Sequence, residues 1–332
     1  MVKKIINIQP FNEYWMDCHY NSVFTIASYF ERSYHTAAYT NCYSYYKQAY
    51  SAFPSLRLID VLYNNDFSVN NKMRIYKEEA FRDREYRNIS GIIKNILLEN
   101  KILRLYVNLF HWIPNDIVWK KYNWSHYSLI IGFDESKKEF YALDYDLNSY
   151  GINAIPEDRL NTAFYSSQYF TKDINNGMGV YSPLFIVSPN DYIPEYSIDI
   201  QKIKSNANRL TNHLQDFSVS DVWNIPQECK QSEAIDVIVL GINKVCNRQI
   251  GNVMLIKNLY KNNYIDSNVF KVLVDQFETL KLLWERNKIL FMKSRYYQID
   301  NEKILKTKLS CEILFKKEAN IWNILYNNIL EN

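Results

Sequence analysis

Seven glycines in 332 residues, about 2% against an ordinary ~7%, leave little material for a phosphate-binding loop. There is no GxGxxG and no GxxxxGK[ST]. The GxG at Gly177-Met178-Gly179 lacks a third glycine and precedes no helical pattern, so dinucleotide and P-loop chemistry are set aside. Cysteine is equally sparse. Cys18, Cys42, Cys229, Cys246 and Cys311 are odd in number, scattered and never in CxxC spacing. This argues against a disulfide framework and a zinc knuckle, and suits free thiols in a reducing, cytoplasmic compartment. Long apolar runs are missing as well. No stretch reaches 18 apolar residues, and the start, with Lys3 and Lys4, has no signal-peptide core, so neither a membrane span nor an export signal is expected. Nor is there an excess of one charge. With 39 Lys+Arg and 36 Asp+Glu the net charge is +3, too small to argue for nucleic acid.

What is present suits a folded protein of one large or two ordinary domains: 47% of residues are hydrophobic and 23% charged, which excludes disorder. Charge divides unevenly. Residues 1–200 carry 20 basic and 22 acidic side chains, and residues 201–332 carry 19 and 14, so the C-terminal part is mildly basic. That surface is read either as simply solvated or as a dock for an acidic partner.

Three zones follow along the chain. Residues 1–100 read as mostly helical after a short extended start. Asp17 is a candidate N-cap for a helix bearing Val23, Phe24, Ala27 and Phe30 at helical spacing; further helices are predicted over about 75–87 and over 89–99. Residues 101–190 read as strands: 102–110, a hairpin of 127–133 and 139–144 around a polar turn, and 180–188. Pro189 and Pro194 mark a linker. Residues 200–332 read as nearly all helix, over 200–217, 232–245, 267–296 and 302–330. The expected division is 1–195 and 196–332.

Chemistry concentrates on Cys18. A cysteine that starts a helix sits at the positive end of the helix dipole, which stabilises the thiolate and is expected to lower its pKa. A nucleophile also needs an imidazole, and a group to orient that imidazole. His126 opens the 127–133 strand behind the aromatic stretch 119–124. If the hairpin turn centres near Ser136, position 126 pairs with 146 and 128 with 144, which places Asp144 diagonally beside His126 on one sheet face. A slip of one residue moves Asp144 to the other face, with Asp146 as the reserve orienter. Adjacent Cys18-His19 is poor metal spacing, so no metal is expected. Cys42 reads as packing.

A cysteine on an N-terminal helix, then His and Asp on a later hairpin, is the order found in papain-like cysteine enzymes. Asp17-Cys18 and the apolar helix behind it resemble the corresponding segment of bacteriocin-processing cysteine peptidases. His126-Tyr-Ser-Leu-Ile-Ile-Gly-Phe-Asp134 followed by Phe140-Tyr-Ala-Leu-Asp144 is similar to their HYxxxxGxD…FxxxD segment. From Val107 through Trp119, Tyr122 and His126 to Asp144 the chain is more similar to the butirosin biosynthesis protein H family. The resemblance covers about 1–30 and 100–165. It departs from the peptidases at His19, where they carry Gly, and at Tyr145, where they carry Pro.

This resemblance implies an α+β papain-like cysteine protease fold, an N-terminal helix carrying Cys18 packed on an antiparallel sheet, with an all-helical C-terminal part. It implies acyl transfer from the phosphopantetheine thioester of an acyl or peptidyl carrier protein to a small amine, as in thiotemplated natural-product assembly. Cys18, His126 and Asp144 would be catalytic, with no cofactor bound by the protein itself. The oxyanion-hole glutamine of the peptidases lies six residues before their cysteine; here Asn12 holds that place and Gln9 is the nearest glutamine, so either amide could assist the Cys18 N–H. Trp112, Trp119, Tyr122 and Trp124 are candidate walls of a substrate cleft, or else core and rim aromatics. A peptidase or amidase with the same triad is the alternative, and a non-catalytic protein on the same scaffold a third reading.

Overall fold

A computed structural model describes residues 2–40, 42–50, 53–63, 75–81, 86–114, 118–146, 149–171, 182–294 and 301–330. The chain forms two compact units, Met1–His35 with Ser68–Tyr196, and Thr36–Phe67 with Ser197–Asn332. The last break lies at 196/197, and residues 36–67 group with the C-terminal helices. The class is mixed α+β, with an antiparallel sheet and a helical C-terminal part. Among the described residues no helix is long and apolar enough to cross a membrane.

In chain order the elements begin β1 (Lys3–Ile5), α1 (Cys18–Phe30), α2 (Tyr34–Thr40), β2 (Tyr43–Tyr50), β3 (Phe53–Tyr63), β4 (Tyr76–Ala80), α3 (Ile89–Leu98) and β5 (Ile102–Asn108). There follow β6 (Ser125–Asp134), β7 (Glu139–Tyr145), β8 (Tyr150–Pro156), α4 (Glu157–Tyr165), α5 (Gln168–Thr171) and β9 (Leu184–Pro189). The chain continues through α6 (Ile200–Gln215), α7 (Gln231–Lys261), α8 (Ser267–Lys293) and α9 (Asn301–Asn328).

The first unit is built on a sheet of order β4-β9-β5-β6-β7-β8, with β1 added beside β6. β5 pairs with β6 over residues 125–130, and β1 takes over at 132–134, so one flank of β6 is served by two strands in turn. The takeover needs Gly132. A Cβ there would lie 2.6 Å from the Lys4 carbonyl oxygen and 2.8 Å from Ile5 Cα, both backbone atoms that cannot swing aside. Gly132→Ala is therefore expected to destabilise the protein by about 2 kcal/mol through forced displacement of β1. A chemical-denaturation midpoint unchanged from wild type would refute this.

Two expectations for the N-terminal zone are corrected. The helix predicted over 75–87 is β4 over its first residues, with burial alternating at period two from buried Tyr76 to exposed Lys77, as pairing with β9 requires; 82–85 lie outside the described residues. Residues 43–50 and 53–63, in the zone read as mostly helical, form the antiparallel strand pair β2–β3, where Tyr43 and Tyr45 are buried on one face. The predicted strand 180–188 is observed as β9; 180 and 181, like the 177–179 GxG, lie outside the described residues.

The second unit sets α6 to α9 around that strand pair. α7 approaches β3 so closely at Gly241 that a Cβ would lie 2.4 Å from the Ile59 carbonyl oxygen. The unit's core holds a carboxylate. Glu318 is fully buried and accepts hydrogen bonds from Tyr43 Oη (2.7 Å), Tyr45 Oη (3.0 Å), Gln249 Nε2 (2.9 Å) and Trp322 Nε1 (3.3 Å). This network explains why α7 runs to Lys261 rather than ending near 245. Arg248, Gln249 and Asn252 break the apolar pattern in sequence, yet all three are buried, with Arg248 donating to Asn252 Oδ1 and the Tyr39 carbonyl.

Candidate active site

Cys18 is the first residue of α1. Asp17 caps the helix, its Oδ1 accepting from Tyr20 N at 2.7 Å. Buried Asn21 fixes the approach to the cap: its Oδ1 accepts from Met16 N (2.8 Å) and its Nδ2 donates to the Phe11 and Tyr14 carbonyls (3.0 and 3.1 Å). The loop entering the helix is thus held by side-chain bonds, which fixes the thiol in place.

His126 lies on β6 and Asp144 on β7. Near the turn the hairpin pairs Asp134 with Glu139 and Gly132 with Tyr141; beyond it, Ile130 pairs with Ala142 and Leu129 with Leu143. The register shifts by one residue because Ile131 is inserted as a β-bulge. Extending the inner register sets Ser128 opposite Asp144, which puts His126 and Asp144 on one face. Without the bulge, the turn-side register would set Asp144 opposite Leu129 and on the wrong face.

The result is direct contact. His126 Nε2 donates to Asp144 Oδ2 at 2.9 Å, leaving Nδ1 for the thiol, and ligand-type atoms of Cys18, His126 and Asp144 all lie within 4.8 Å of one another. Asp144 is 2% exposed and takes two further bonds: Trp112 Nε1 donates to Oδ2 at 2.9 Å, and Tyr145 N donates to Oδ1 at 2.8 Å. The same three residues are the group among the described residues with the donor set for a metal ion. The 2.9 Å separation is that of a hydrogen bond, shorter than the roughly 3.3 Å edge expected between ligands each ~2.0 Å from a tetrahedral zinc.

Electrostatics follow from burial and pairing. Burial opposes charge on Asp144, but the His126 charge and hydrogen bond, with the Tyr145 amide, outweigh it and hold the carboxyl below its ordinary value. Burial likewise opposes an imidazolium, yet Asp144 and then Cys18 hold His126 well above the usual imidazole range. Cys18 corrects the expectation of a lowered pKa. Burial lifts the thiol above its ordinary value and outweighs the opposing pull of His126.

The other predicted residues separate clearly. Asp146 accepts from Ser149 N and is not the orienter. Gln9 and Asn12 are exposed; the Gln9 amide donates to Asn7, and among the described residues no hydrogen bond joins either to the triad. Trp112 is fully buried, so it is a partner of Asp144 and no wall of a cleft. Sequence reasoning missed this role because nothing local marks an indole as a donor to a carboxylate 32 positions away. Trp119 is half-buried between the cations of Lys120 and Arg159, 4.9 and 5.2 Å from its ring. Tyr122 and Trp124 are half-buried and stack on each other at 5.1 Å.

A scan against models of known protein families gave no match, and a search of curated proteins gave none either.

Proposed function

We propose that the chain is a papain-like, cysteine-dependent acyltransferase that moves an acyl group from a carrier-protein thioester to an amine. The observation that carries this reading is the cluster itself: a thiol opening a helix, an imidazole beside it, and a buried carboxylate bonded to the far ring nitrogen at 2.9 Å. A helix bearing the thiol and adjacent antiparallel strands bearing His and Asp are the parts a papain-like fold requires.

In this reading the Cys18 proton passes to His126 Nδ1, and the sulfur attacks the thioester carbonyl. The carbon–sulfur bond to the phosphopantetheine arm breaks, and His126 returns the proton to the departing thiol. An amine then attacks the acyl-cysteine and gives its proton to His126, and Cys18 leaves as the amide forms. Amide formation from a thioester runs downhill, so no nucleotide is consumed, in keeping with the missing phosphate loops. Transfer is preferred over hydrolysis because of the resemblance of 107–144 to the butirosin biosynthesis protein H family. The basic balance of residues 201–332 suits an acidic carrier protein.

The test is intact mass spectrometry after mixing the protein with acyl-pantetheine thioesters and with the acylated carrier. One acyl adduct, absent from Cys18→Ala and discharged by an added amine, is expected. Prompt discharge by water would replace transferase by hydrolase, and no adduct from any donor would end both enzymatic readings.

The Trp112 contact gives a finer prediction. Trp112→Phe keeps the buried ring and deletes one donor to the ionised Asp144, so turnover should fall roughly 10-fold. Steady-state rates at matched melting temperature check this; an unchanged kcat would reduce Trp112 to packing.

A further inference from the structure

Two buried hydroxyls lie near the start of α1 with no acceptor beyond each other among the described residues. Ser22 is 2% exposed and Tyr150 3%. Among the described residues neither Ser22 Oγ nor Tyr150 Oη has a partner in full hydrogen-bond geometry, and the group each lies beside is the other. Orphaned buried hydroxyls cost free energy, so their placement calls for an acceptor.

Their location supplies one. Ser22 is one helical turn past Cys18, and helical side chains lean toward the N-terminus, so its hydroxyl leans toward the thiol position. Tyr150 opens β8 opposite Tyr145, the residue after Asp144. The phenol neighbours Ser22, Cys18 and Asp144 together. Burial first, then the nearby Asp144 and Cys18 charges, hold it well above its usual range, so it keeps its proton and acts as a donor.

We propose that Tyr150 and Ser22 form a hydroxyl relay, Tyr150 donating to Ser22 Oγ and Ser22 to Cys18 Sγ, which closes when the sulfur becomes negative. Both are positioning residues. The thiol proton still goes to His126, and the relay gives hydrogen bonds without losing a proton. It offsets the burial that raises the thiol, as donors placed where charge develops do elsewhere. The inference rests on Cys18 acting as a nucleophile, and is independent of the acyl acceptor.

The groups around the sulfur are Asp17 from the helix cap, His126 from β6 and Asp144 from β7. His19 follows on the helix, 3.5 Å from the Arg104 guanidinium. Those around the phenol are Asp144, Arg104 of β5 and Tyr76 of β4. The test is the pH dependence of Cys18 alkylation by iodoacetamide in the full chain, read on the Cys18 peptide by mass spectrometry. Tyr150→Phe and Ser22→Ala should each move the midpoint up by about one unit. Ser22→Thr should restore it, and Ser28→Ala, which removes another partnerless hydroxyl of α1, should not move it. Melting temperatures should change little, since at most the Ser22–Tyr150 contact is lost. Unmoved midpoints in Tyr150→Phe and Ser22→Ala, or an equal shift in Ser28→Ala, would overturn the relay alone. A wild-type Cys18 that resists alkylation throughout would overturn the relay and the proposed function together.

Discussion

Cys18→Ala is expected to lower acyl transfer by about 10⁴-fold or more while the protein stays folded. In the proposed mechanism the sulfur is the atom that changes covalent partner, so no neighbour can substitute for it. The remaining thiols sit elsewhere: Cys42, Cys229, Cys246 and Cys311 are all buried, and burial drives the Cys246 thiol up to about 12. Stability should change little. Cys18 is half-buried, and the capping bond from Asp17 and the Asn21 contacts do not involve its side chain. His126→Ala should cost nearly as much, and the double variant little more, because groups acting as one unit do not add. Initial rates with a carrier-bound donor, beside thermal melts, check this. A Cys18→Ala protein retaining a tenth of wild-type activity would disprove the proposed mechanism.

The largest effect on stability should come from Glu318→Ala, about 3–5 kcal/mol. The substitution strands four donors at once, from Tyr43, Tyr45, Gln249 and Trp322, inside a site with no solvent. Glu318→Gln preserves volume and one acceptor oxygen, and should cost much less. Denaturant titration followed by tryptophan fluorescence separates the two variants, since Trp322 is itself one of the donors. Equal midpoints for wild type and Glu318→Ala would mean that the network is incidental to folding.

Glu318 also shows where sequence reasoning stopped. In Lys316-Lys317-Glu318 it reads as one more solvated charge, and only the distant Tyr43 and Tyr45 reveal that it faces inward. The same blindness shortened α7, whose buried Arg248, Gln249 and Asn252 mimic a polar break. The β2–β3 strand pair was lost in a zone read as mostly helical because its partner surface comes from residues far along the chain. By contrast, Cys18, His126 and Asp144 were legible from local signals. An N-cap precedes the first, strand alternation places the second, and a polar turn fixes the return to the third. The choice between Asp144 and Asp146 hung on a register that no local rule decides. Trp112 reads in sequence as a cleft wall or a core aromatic, and its bond to Asp144 is hidden, because aromatic character is visible in sequence and a hydrogen bond is not.

The bulge at Ile131 bears on any attempt to move this chemistry to another scaffold. His126 and Asp144 cannot be grafted as two point substitutions onto a regular hairpin with the same turn, since they would emerge on opposite sides. The transplantable piece is the continuous segment 126–144 with its surplus residue, and its glycine must be given a bare backbone neighbour like β1. For the same reason, deleting Ile131 alone would leave every reactive side chain in the sequence and dismantle the site they form. The number of residues between His126 and Asp144 therefore carries information of its own, separate from their identities.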